Sequence, residues 1–181
     1  IKVALRFSPA PNPRVGAVLV DRNNKIKKIA AHQNQGYDHA EYSLLKNSEV
    51  SPDDTLYVTL EPCFHDDTSP SCASTVIQTG IKSVVVGGID KDKRTDGKGI
   101  DLLRQNDIKV IVEEGVNEFL NPGYKYSDTN PFLIGKVAIS NDNIIYKENN
   151  KYISNQHSRE ISHYIRSTVD CIIIGKNTLI K

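Results

Sequence analysis

Apolar and polar positions along the first two thirds of the chain fall into short blocks, some with the period of a strand and some with that of a helix. Residues 15–20 (Val-Gly-Ala-Val-Leu-Val) form an apolar run of strand length. The polar turn Asp21-Arg22-Asn23-Asn24 follows, then a second strand over 25–31, so the pair reads as a hairpin. From His39, the positions Ala40, Tyr42, Leu44 and Leu45 give a helical face that ends near Asn47. Residues 55–60 (Thr-Leu-Tyr-Val-Thr-Leu) read as a strand, 72–79 as a helix stopped by Gly80, and 83–87 as a strand. A helix over 99–105 and a strand over 109–112 complete the series. Strands alternating with helices predict an α/β sheet covered by helices on both faces. In such sheets ligands collect at strand ends where loops converge, and the segment after residues 55–60 is such a place.

The pattern changes after Gly115, where Asn, Gly, Pro, Asp and Ser crowd the sequence as far as Asn130. This reads as a first domain over 1–120, a linker over 121–130, and a new unit over 131–181. The new unit has a strand-like stretch over 132–139, a turn at Asn141-Asp142-Asn143, a polar helix from about Asn155 to Arg166 and an apolar strand over 170–175. Strand, helix and strand are the opening of another α/β domain, incomplete at Lys181. The length of 181 residues agrees with one medium domain and part of a second.

Composition narrows the function classes. A formal net charge of +1 argues against a nucleic-acid-binding surface, which needs an excess of basic residues. Three cysteines in a chain this long do not make a disulfide scaffold and suit a reduced, cytoplasmic setting. The longest apolar runs, such as Cys171-Ile172-Ile173-Ile174, are too short to span a bilayer, and no charged-then-apolar leader precedes Ile1. The expectation is therefore no nucleic acid and no membrane as partner.

Three motifs carry chemistry: His39-Ala40-Glu41, Glu61-Pro62-Cys63 and Pro70-Ser71-Cys72. One imidazole and two thiolates suit tetrahedral zinc, and three protein ligands leave the fourth position for water. Zinc makes that water acidic enough to be hydroxide near neutral pH. Glu41, two residues after His39, shares the site without being a ligand, and its carboxylate can carry the water's proton to a ring nitrogen and then to leaving ammonia. His-x-Glu followed by Pro-Cys-x-x-Cys is the mark of nucleobase deaminases. Here the second cysteine comes nine positions after the first, with residues 64–71 inserted.

That spacing resembles the riboflavin-biosynthesis deaminase/reductase family. So do Pro11-Asn12-Pro13-Arg14-Val15-Gly16, residues 57–63 (Tyr-Val-Thr-Leu-Glu-Pro-Cys) and Gly97-Lys98-Gly99-Ile100. Lys136-Val137-Ala138-Ile139-Ser140 and the later Gly175 and Thr178 carry the likeness into the second unit. The resemblance implies a three-layer cytidine-deaminase-like domain, followed by the start of a dihydrofolate-reductase-like α/β domain. It implies zinc held by His39, Cys63 and Cys72, with Glu41 catalytic. The substrate would be a small phosphorylated pyrimidine, a diaminopyrimidinone ribosylamine phosphate, with Asn12 on the pyrimidine and His65 along the substrate. In the reductase part it places Ala138, Tyr152 and Thr178 toward NADPH and Asn150 and Arg166 toward substrate, and it suggests a homo-oligomer.

The chain also departs from the family. Asp67, Thr68 and Ser69 stand where Gly, a basic residue and Thr are usual, so the loop lacks the cation expected for the phosphate. Asp38 replaces a Pro, Asn143 a Gly and Tyr152 a Trp. Two other readings stay open on the residues alone: a cytidine- or tRNA-adenosine-type deaminase, and a zinc-binding scaffold without catalysis. His32, His157 and His163 read as surface or supporting groups, and Cys171 as core packing.

Overall fold

The structure, a computed structural model, describes residues 1–7, 9–65, 70–122, 124, 133–145, 152–167, 169 and 171–176. The chain divides into two compact units, Ile1–Pro131 and Phe132–Lys181.

The first unit is built on a five-stranded sheet in the order β2-β1-β3-β4-β5. The strands are β1 (Gly16–Val20), β2 (Ile26–Ala31), β3 (Thr55–Val58), β4 (Ser83–Val86) and β5 (Lys109–Val112). β1 runs antiparallel to both β2 and β3, while β3, β4 and β5 are parallel. The helices are α1 (Ala40–Leu45), α2 (Cys72–Gln78), α3 (Lys98–Gln105) and α4 (Val116–Leu120), with a short 3-10 turn at Ala4–Arg6. The strand expected over 55–60 ends at Val58, and at Thr59 the pairing with Gly16 is completed by the side chain in place of the carbonyl. The Thr59 backbone N–H donates to Gly16 O at 3.0 Å and its hydroxyl accepts from Gly16 N at 3.0 Å.

Alternation along the strands sorts side chains to two faces. Ala17, Leu19, Leu56, Val58, Val84 and Val86 point to one face and are buried with Ala40, Leu44, Val76 and Leu103 of α1–α3. This is the core. The other face carries the 3-10 turn over Gly16 and α4 over Gly87: a Cβ at those glycines would lie 2.9 Å from Val3 and Val116 atoms respectively. Between them runs a row in register, Ile29, Val18, Tyr57, Val85 and Ile111. Its members Ile29, Tyr57 and Ile111 are exposed. The layers are thus helix, sheet, helix, as the alternation predicts.

One edge of the sheet matters for function. Gly16 pairs with Ala31, Ala17 with Val58, and Val58 with Val86, so one end of each of these strands falls on a common line. Four segments leave from that line: the loop before β1, the residues after β2, and the loops after β3 and β4. Sequence-distant residues 12, 32, 60–63 and 90–94 are thereby gathered at one place.

In the second unit, α5 (Gln156–Arg166) begins at Asn155, whose side chain accepts from Ser158 N at 2.8 Å. The turn at 141–143 is present, with Ser140 N donating to Ile144 O and Asn143 at φ 62°. The stretches expected as strands over 132–139 and 170–175 show no strand among their described residues. An extended segment becomes a strand only through ladder hydrogen bonds to a neighbour, and the described residues provide none there.

Candidate metal and catalytic site

His39 stands at the N-cap of α1 with extended backbone, which turns its side chain to the common edge of the sheet. Cys63 follows the end of β3 and is half-buried. Cys72 is the first residue of α2 and is buried. Ser71 caps that helix by accepting from Ser74 N, which fixes the turn that carries Cys72. The start of α2 is pinned to Cys63: the Cys72 backbone N–H donates to Cys63 Sγ at 3.2 Å and Ala73 N donates to Cys63 O at 3.2 Å.

His39 Nδ1 lies 3.3 Å from Cys72 Sγ and 3.6 Å from Cys63 Sγ. Tetrahedral zinc with ordinary bond lengths sets imidazole nitrogen and thiolate sulfur about 3.5 Å apart. All three donor atoms lie within 4.8 Å of one another. The donor set and its spacing therefore fit a zinc ion. Among the described residues this is the group of metal-ligating side chains so arranged.

The two thiols titrate as a pair. The Cys72 side-chain hydrogen bond draws the Cys63 thiol well down, helped by His39. The same bond, burial and the nearby Glu41 carboxylate hold Cys72 up. The pair thus favours one thiolate, at Cys63, beside the position a cation would occupy. Glu41, in the first turn of α1, is 3% exposed. Burial pushes its carboxyl up to about 7, against the opposing pull of His39. A carboxyl with that value can both accept and release a proton near neutrality.

Two cavities meet at this cluster and share Asn12, His39, Cys63 and His65 in their walls. Glu41, His32, Asp90, Asp92, Arg94 and Tyr124 add to the first. Asn12 is held from behind. Its Nδ2 donates to His32 Nε2 at 3.1 Å, and His32 Nδ1 donates to the Asp38 carbonyl at 3.1 Å. Burial lowers the His32 pKa, which keeps that ring neutral and its Nε2 an acceptor. The loop of Asn12 is further clamped by Asn121, which accepts from Arg14 N at 2.6 Å and donates to Arg14 O at 3.0 Å. His65 Nδ1 and Thr95 Oγ1 are 3.4 Å apart.

Of the residues singled out in the sequence, the structure thus gathers His39, Glu41, Cys63, Cys72, Asn12 and His65 around one space. Ala138, Tyr152 and Arg166 lie in the second unit. There Ala138 is half-buried, Arg166 is exposed at the end of α5, and the Arg159 guanidinium sits 4.2 Å over the Tyr152 ring. Asn150, Thr178 and Thr68 lie outside the described residues. His32, read from the sequence as a surface or supporting group, is buried and supports Asn12, while sequence reasoning missed the wall formed by Asp90, Asp92, Arg94 and Tyr124. A signal existed for the loop: it follows a parallel strand, as the Cys63 loop does.

Comparison with known proteins agrees with this site. Residues 1–88 match the cytidine and deoxycytidylate deaminase zinc-binding region. The riboflavin biosynthesis protein RibD of Aquifex aeolicus is 35% identical over 178 residues, which cover 94% of this chain and 50% of that protein. A diaminohydroxyphosphoribosylamino-pyrimidine deaminase of Buchnera aphidicola (subsp. Schizaphis graminum) is 40% identical over 107 residues, covering 59% of this chain and 72% of the relative. A solved structure of Acinetobacter baumannii RibD superposes with a TM-score of 0.68 at 31% identity, over 99% of this chain and 51% of that one. The chain spans about half the length of the RibD relatives it matches. The likeness runs through both units and includes a dedicated deaminase matched over most of its own length, so the chain belongs to the riboflavin-biosynthesis deaminase/reductase family.

Proposed function

We propose that the first unit, taken as a deaminase domain over 1–120, performs zinc-dependent hydrolytic deamination of a diaminopyrimidinone ribosylamine phosphate. The observation that carries this is the buried Glu41 carboxyl beside a three-donor cluster that opens on a cavity. His39, Cys63 and Cys72 would hold the zinc. When bound, that ion supplies Lewis acidity that makes water nucleophilic near neutral pH. Glu41 accepts the proton of the attacking water and delivers it to a ring nitrogen as the carbon–oxygen bond forms. It then carries the second proton to the amine as the carbon–nitrogen bond breaks, so that water and amine become a ring carbonyl and ammonia. Asn12, oriented by His32, would hydrogen-bond the pyrimidine, and His65 would lie along the substrate.

Glu41→Gln tests the mechanism. The variant keeps the shape of the site and its three metal donors, so stoichiometric zinc is expected with ammonia release lowered by about a hundredfold or more. Retained turnover would sink the proposal.

The second unit, 131–181 after a linker over 121–130, is read as the start of an NADPH-dependent reductase domain. The length of the RibD relatives supports this. Ala138, Tyr152 and Thr178 would face NADPH, and Asn150 and Arg166 the substrate. A ring half exposed and faced by a guanidinium, as at Tyr152, suits a ligand of rings and phosphates. The protein is further read as cytoplasmic and homo-oligomeric, without nucleic-acid or membrane partners. No helix among the described residues is long and apolar enough to cross a membrane.

A further inference from the structure

The cavity at the metal cluster has acidic walls: Glu41, Glu61, Asp90 and Asp92 all line it. Among the described residues that line either cavity, Arg94 is the only Lys or Arg. Residues 66–69 lie outside the described residues and bring no cation, reading Asp-Asp-Thr-Ser. The loop after β4 alternates in a telling way. Asp90 and Asp92 turn inward and are buried, while Lys91, Lys93 and Arg94 are exposed.

Arg94 is aimed by its neighbour. Asp92 accepts three bonds from it: from the backbone N–H at 3.0 Å, from Nε at 3.2 Å and from Nη2 at 2.8 Å. The backbone on either side is tied down. Thr95 N donates to Asp92 O, and Lys98 Nζ donates to the carbonyls of Lys93 and Arg94. The guanidinium is thus pre-oriented, yet its side chain is 58% exposed, whereas Glu41 in the same cavity is 3% exposed. Arg94 marks the open end of the cavity and Glu41 the floor.

Resting on the deaminase reading above, we propose that Arg94 binds the phosphate of the substrate and so sets which end of the molecule enters first. A guanidinium is always charged and presents its donors in a planar fork whose geometry matches a phosphate. The carboxylates deeper in the cavity repel a dianion and leave the uncharged pyrimidine to reach Glu41. The phosphate then stays at the rim, where the cation is.

Two measurements on the full, zinc-loaded chain test this. The first needs no turnover: binding of ribose 5-phosphate and of ribose by calorimetry, for wild type, Arg94→Gln and Arg94→Lys. Wild type is expected to prefer the phosphorylated sugar, and Arg94→Gln to lose about tenfold or more of that preference, as befits a charge-assisted pair. Arg94→Lys should recover part of it. No preference in wild type, or an equal one in Arg94→Gln, overturns the inference. The second is the ratio of kcat/KM for the phosphorylated and phosphate-free diaminopyrimidine. It should fall in Arg94→Gln chiefly through KM, a change that mere loosening of the loop would not produce. Phosphate-selective sugar binding without ammonia release from either amine would instead keep Arg94 and remove the deaminase reading.

Discussion

The proton inventory of the site sits with three side chains. At about pH 8 Cys63 and Glu41 are ionised in the metal-free protein, while Cys72 keeps its hydrogen. Zinc binding there should release about one proton, from Cys72, because thiols bind metal as thiolates. Calorimetry in buffers of different ionisation enthalpy measures this, and binding without any proton release would contradict a protonated Cys72. Glu41 sets a second dependence. Its carboxyl in the fold lies at about 7 against an ordinary 4.5, so the folded state holds the proton more tightly than the unfolded chain. The contribution to folding is greatest below 4.5 and is lost as pH rises through about 7. In chelator, Glu41→Gln should gain on wild type by up to about 3 kcal/mol between acid and mildly alkaline pH, read from denaturation midpoints. A constant difference would contradict the buried carboxyl. The metal triad and Glu41 were legible in the sequence because residue type and spacing alone specify that chemistry. For His32 the sequence left a surface and a supporting role open, since its role comes from a contact with Asn12 across the hairpin.

At the level of elements, the site is held by what leaves the common edge of the sheet. Glu61, 2% exposed, accepts from Asp90 N at 3.0 Å, Gly97 N at 3.0 Å and Ile100 N at 3.1 Å. It joins the Cys63 loop to the Arg94 loop and to the start of α3. Glu61→Ala would leave buried N–H groups without acceptors, at a cost of about 3 kcal/mol or more, and Glu61→Gln should cost less. Both should weaken zinc binding, because Cys63 is two residues away; unchanged stability in Glu61→Ala would contradict this role. Gly99 belongs to the same joint: a Cβ there would collide with the Pro62 carbonyl oxygen. Gly99→Ala should therefore both destabilise the fold and loosen the metal site. The strands of this unit and helices α1–α3 were readable from periodicity to within a few residues, whereas α4, in the stretch after Gly115 whose composition reads as a linker, was not. Residues 59 and 60 continue the pattern of β3, yet at Thr59 the hydroxyl accepts from Gly16 N, a substitution for the ladder bond that no local pattern reveals.

Over the whole molecule, the core and every residue of the candidate site belong to the first unit. A chain cut after Pro131 should accordingly fold and bind zinc as tightly as the full chain; loss of zinc in the cut protein would show that the second unit shapes the site. The α/β class followed from the alternation of elements along the chain. The second unit was less legible. Its apolar stretches over 133–139 and 171–174 have the composition of strands, but strand pairing depends on neighbours that composition cannot name, and the helix at Gln156–Arg166, which needs only its own backbone, is the element that appears. The most direct test of the account is ammonia release from the diaminopyrimidinone ribosylamine phosphate before chelation, after chelation and after zinc is restored. Release that stops with the chelator and returns with zinc is the expected result; release that persists in zinc-free protein, or none from protein shown to hold zinc, would contradict the central claim.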